Sequence, residues 1–73
     1  MKDCVFTIET EKEADGRWIA EIIELPGVLA YGKTKQQAQA KVEALAFRVL
    51  AEEIDEDKQI KPSGFSNIAF AHA

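Results

Sequence analysis

Cysteine is nearly missing from this chain: in 73 residues it occurs once, as Cys4. A disulfide within the chain is therefore excluded, and a reducing compartment is the expected setting. Histidine is as scarce, with His72 alone, so a cysteine nucleophile would have only that one candidate base. No CxxC, HExxH, phosphate-binding loop or GxGxxG occurs, which removes the common metal, redox and nucleotide signatures. Uninterrupted apolar stretches reach only a few residues, too short to span a bilayer. The start, Met1-Lys2-Asp3, is not followed by the apolar region of a signal peptide, and the expected location is the cytoplasm. Positive charge is in deficit too: 9 basic residues stand against 13 acidic ones, a net charge of −4. Binding to phosphate backbones draws its energy from Lys and Arg, so direct nucleic-acid binding is disfavoured, as is an anionic membrane. A basic protein partner is not. The length allows one domain, residues 1–73, that buries only about 60% of its unfolded surface. A deep two-lobed cleft and a nucleotide-binding βαβ pair do not fit. What remains is 47% hydrophobic and 30% charged, the composition of a globular chain.

Residues 4–10 alternate. Cys4, Phe6 and Ile8 fall on one face and Val5, Thr7 and Glu9 on the other, the period of a strand. Asp15-Gly16 is a hairpin-turn pair. A second strand follows over 17–24, with Trp18, Ala20 and Ile22 on one face and Ile19, Glu21 and Ile23 on the other. Leu25-Pro26-Gly27 interrupts it, and 28–31 forms a short third strand closed by Gly32. Thr34 and Gln37 stand at capping-box spacing, predicting a helix from Thr34 to about Ile54 that contains no Gly or Pro. Residues 55–58 read as a solvated exit, 61–64 as a loop, and 65–71 as a fourth strand with Ile68 and Phe70 on one face. The order is β-β-β-α-β in a two-layer α+β unit, its sheet mostly antiparallel. Short connections make the first three strands neighbours, and a right-handed crossover lays strand four beside strand one, giving the order 3-2-1-4.

The helix carries two apolar stripes. Ala38, Val42, Leu45 and Val49, widened by Ala46 and Leu50, are assigned to the sheet. Ala40, Ala44, Phe47, Ala51 and Ile54 lie on the other side and read as a subunit interface, or as a face covered by the chain's own C-terminal segment. The sheet face away from the helix is either solvated or a docking surface with an apolar centre and an acidic rim. In the second case Glu9, Asp15, Ile19, Glu21, Ile23 and Glu24 are the candidate partner-binding residues. Catalytic candidates are weak. His72 reads as a tail residue, Cys4 as a buried small hydrophobe, and Lys33 and Lys35 as solvated surface. Glu9 and Glu43 are the nearest approach to the converging carboxylates of a two-metal nuclease. No catalytic, metal or cofactor-binding residue is assigned.

From Asp15 the chain reads DGRWIAEIIELPGVLAYGKTKQQAQAKVEAL. Asp15, Gly16, Trp18, Ala20, Glu21, Leu25, Pro26, Gly27, Gly32, Thr34 and Ala38 make this stretch resemble the HicB-type antitoxin family, with Gln37 where the family usually has Glu. The resemblance implies a fold like a degenerate ribonuclease H domain. It also implies a function: binding a small RNA-cleaving toxin of HicA type and covering its active site, without enzymatic activity or cofactor of its own. Such a toxin is expected to be basic, which suits this acidic chain. Many members continue into a DNA-binding domain. This chain stops at Ala73, so operator binding is not expected of it. A different class of role also fits: an orphan homo-oligomeric domain. In either case at least a dimer is expected.

Overall fold

The computed structural model describes the backbone over residues 2–55 and 65–73, and side chains over 5–53, 55 and 68–73. Four strands and one helix follow in the order β1 (Lys2–Lys12), β2 (Trp18–Ile22), β3 (Leu29–Gly32), α1 (Lys35–Asp55) and β4 (Phe65–His72). The sheet order is β3-β2-β1-β4. β1 pairs antiparallel with β2, β2 antiparallel with β3, and β1 parallel with β4. The loop expected over 61–64, the exit over 56–58 and the side chains of Cys4 and Ile54 lie outside the described residues.

The expected element order and sheet order hold; the element ends differ for local reasons. β1 runs on to Lys12 because Glu11 and Lys12 pair with Ile19 and Trp18. The hairpin closes through Glu13 N–H donating to the Arg17 carbonyl and Gly16 N–H to the Glu13 carbonyl, with Gly16 at φ 92°. β2 ends at Ile22, two residues early, because Leu25 N–H turns back to the Ile22 carbonyl. A second turn follows at once. Val28 N–H donates to the Leu25 carbonyl across Pro26 and Gly27, and Gly27 has φ 88°. Proline followed by a positive-φ glycine is the pattern of a type II turn.

Alternation places each face as the sequence predicts. Phe6, Ile8, Ala20 and Ile22 are buried beneath the helix with Ala38, Val42, Ala46 and Leu50. Leu45 and Val49 are only partly buried, so the packed stripe centres on Ala38, Val42, Ala46 and Leu50. The helix lies off-centre, over β3 and β2 and less over β1. The small residues Ala20, Gly32 and Ala38 permit that approach. At the helix start Thr34 Oγ1 accepts from Gln37 N–H at 3.0 Å. Gln37 Oε1 reaches back one residue further than a standard capping box, to Lys33 N–H at 2.6 Å. No helix among the described residues is long and apolar enough to cross a membrane.

Candidate protein-binding face

The face of the sheet away from the helix is built in rows by the strand registers. Val5 lies beside Ala69, and Thr7 beside Ala71. Glu9 stands opposite Glu21, which stands opposite Leu29. Glu11 stands opposite Ile19, and Ile19 opposite Tyr31. Val5, Ile23, Leu29 and Tyr31 are 55%, 45%, 37% and 39% exposed. The surface is therefore carboxylate-bearing and apolar together. A shallow depression of about 430 Å³ opens on it, lined by Glu9, Thr10, Glu11, Ile19, Glu21 and Ala73.

Of the expected residues, Glu9, Ile19 and Glu21 come together at this depression. Ile23 extends the face past the end of β2, where its N–H donates to the Thr7 carbonyl. Glu24 and Asp15 do not join the centre. Both Glu24 oxygens are engaged by Thr7: Oε1 accepts from the backbone N–H at 2.7 Å and Oε2 from the hydroxyl at 2.8 Å. Asp15 accepts from Arg17 N–H at 3.1 Å and Arg17 Nε at 2.8 Å. The Arg17 guanidinium in turn lies 4.5 Å from the centre of the Tyr31 ring, fastening the hairpin tip to β3. Glu11, Leu29 and Tyr31 go beyond the sequence-based set, as do Thr10 and Ala73 at the depression. The signal for Glu11 was its continuation of the Thr7, Glu9 alternation. The signal for Leu29 and Tyr31 was their alternation with the small residues Ala30 and Gly32.

The Thr7 N–H, and after it the Thr7 hydroxyl, hold the Glu24 carboxyl below the usual glutamate range. The Arg17 N–H and then its side chain do the same for Asp15. A depressed folded pKa contributes stability that is complete above the ordinary value and is lost as pH falls through the folded one. Glu24→Gln is accordingly expected to flatten the acid limb of the stability curve. Urea midpoints measured from neutral pH down through the carboxylate range test this; an unchanged acid limb would show that Thr7 makes no net contact with Glu24 in solution.

The remaining sequence candidates are dispersed. Glu9 faces away from the helix while Glu43 rides on it, so the sheet separates the two carboxylates considered for metal chemistry. His72 Nε2 lies 3.9 Å from Glu43 Oε2. Lys33 and Lys35 are exposed near the helix start. Ala40, Ala44, Phe47 and Ala51 are exposed on the helix, and Phe47 meets Phe70 edge-on at 5.5 Å between ring centroids. Among the described residues no group of three or more His, Cys, Asp or Glu could hold a metal ion. Compared with protein-family models, curated proteins and solved structures, the chain matches none.

Proposed function

We propose that this chain is a HicB-like antitoxin module, a non-enzymatic cytoplasmic protein that binds a small basic RNA-cleaving toxin of HicA type and masks its active site. The observation that carries the reading is the Glu9–Glu21 pair. Like charges directly opposite on neighbouring strands cost stability, on the order of 0.2–1 kcal/mol. Here that cost sits in the middle of an exposed face, next to Ile19, with Leu29 beyond Glu21. A cationic partner with an apolar patch would relieve the repulsion and bury the isoleucine. The half-chain resemblance to HicB-type antitoxins supplies the identity of that partner. The alternative, an orphan homo-oligomeric domain, is favoured by Phe47, which is 50% exposed among Ala40, Ala44 and Ala51. A small basic reading frame beside the gene, encoding a protein with one histidine, discriminates between the two.

Binding kinetics with that neighbouring protein test the reading. Glu21→Lys is expected to raise the stability of the free domain by about 0.2–1 kcal/mol, because it turns a repulsive cross-strand pair into an attractive one. It is also expected to slow association, most strongly at low salt, where charges act over longer range. Ile19→Ala is expected mainly to speed dissociation. Gain of stability with loss of binding is a combination that simple structural damage does not produce. Wild-type rates in both variants would overturn the assignment of this face.

A further inference from the structure

The two edges of the sheet are unequally protected. β3 is short, is followed by Lys33, and has Arg17 laid over its Tyr31. β4 has eight residues and contains no proline, and residues 65–71 carry no charge. A register shift marks only its beginning, opposite Lys2 and Asp3, so regular strand runs from Asn67 to His72. Uncharged, proline-free edges of this length are open templates for pairing with another strand.

The direction of the unpaired groups follows from one bond. Ala73 N–H donates to the Ile8 carbonyl of β1. By alternation along the strand, the backbone groups of Ala69 and Ala71 also face β1. Those of Ile68, Phe70 and His72 therefore point out from the sheet. Among the described residues nothing pairs with them. The helix layer is thin at this end as well. It meets β4 through the Phe47–Phe70 and Glu43–His72 contacts, and Phe47 remains 50% exposed.

We propose that β4 is a homodimerisation edge: two copies pair their β4 strands antiparallel about a two-fold axis at Phe70, joining two four-stranded sheets into one. Centring on Phe70 is the register that pairs every outward residue, Phe70 with its own mate and Ile68 with His72. It brings the two Phe70 rings together on the helix side, where each Phe47 completes the missing layer. On the opposite face it sets Ala69 against Ala71, which are too small to obstruct. A second copy can dock at this edge without setting like charges against each other, because residues 65–71 carry none. Each copy carries −4, so like copies repel over most of their surface, and the neutral β4 strip is where they can meet. The proposal does not depend on toxin binding, which it leaves to the β1–β2 part of the open face around Glu9, Ile19 and Glu21, with Ala73 at the border between the two.

Sedimentation and amide hydrogen exchange on the full chain test it. The wild-type protein is expected to run at twice 8.1 kDa, with slow exchange at Ile68, Phe70 and His72 that quickens on dilution. His72→Pro deletes one outward N–H and leaves the groups facing β1 in place. Phe47→Ala removes the exposed ring. Each is expected to raise the dimer Kd at least about ten-fold, with circular dichroism as the folding control. If His72→Pro does not fold, the exchange pattern and Phe47→Ala still decide. A species of 8.1 kDa at every concentration overturns the proposal, whether those amides are fast or are slow because another part of the chain covers them. So does a dimer in which they exchange freely.

Discussion

Gly32→Ala is expected to destabilise the domain by about 3 kcal/mol, at the upper end of overpacking costs. A Cβ at this position would lie 2.5 Å from the Ala38 nitrogen, 2.9 Å from the Gln37 carbonyl carbon and 3.0 Å from the Ala38 Cα. All three are backbone atoms of the first helical turn. They cannot swing aside as a side chain would, and the Ala38 N–H is already held by the Thr34 carbonyl at 3.0 Å. The helix start must retreat from β3, which loosens Ala38 and Val42, both fully buried. For a domain of this size the loss corresponds to a fall in Tm of roughly 12–24 °C. Thermal denaturation followed by circular dichroism measures it. A change of only a few degrees would mean that helix and strand do not approach this closely in solution.

Ile22→Ala is the second large effect, and its neighbour supplies the control. Ile22 is fully buried under the helix, whereas Ile23 is 45% exposed on the other face. Truncating a buried isoleucine costs about 2–5 kcal/mol, the spread depending on how far the site collapses. A chain of this length has a total stability of only about 4–11 kcal/mol, so Ile22→Ala removes a large share of it. Collapse at this site is restricted, because Ile8 stands opposite Ile22 and is itself fully buried. Ile23→Ala is expected to stay within about 0.5 kcal/mol. Chemical denaturation of the two variants side by side reads the difference. Equal losses would place both residues in one environment and contradict the strand register.

That register was legible because alternation is unambiguous where each strand has a buried and an open face. Phe6 and Ile8 against Val5 and Thr7, and Ala20 and Ile22 against Ile19 and Ile23, admit one solution. The helix start was legible from Thr34, whose hydroxyl can cap only the residues just after it. Glu24 was not legible. A carboxylate at the end of a strand reads as a rim charge, and only the pairing of Ile23 with Thr7 across the sheet carries it to the Thr7 N–H. Leu29 and Tyr31 were missed because their alternation with Ala30 and Gly32 does not say which side of so short a strand faces the helix. Their face is fixed by the partners Glu21 and Ile19. The off-centre seat of the helix was hidden for a related reason. A stripe of apolar residues says which side of a helix is buried, not which strands lie beneath it; that is decided by where glycine and alanine let backbones approach.

β1 has its two neighbours in staggered positions: the ladder to β4 runs along Lys2–Ile8 and the ladder to β2 along Ile8–Lys12, meeting at Ile8, with the Ile23 N–H bond to the Thr7 carbonyl just beyond β2. The stagger divides the assembly of the sheet into two unequal tasks. Joining β1 to β2 closes a tight hairpin, and β3 and the helix add on through near neighbours in the chain. Joining β1 to β4 brings Cys4 beside Ile68 and closes a loop made of nearly the whole protein, a much larger entropic step. Loop entropy therefore predicts a sheet that assembles from its hairpin side outward, with β4 the last strand to order.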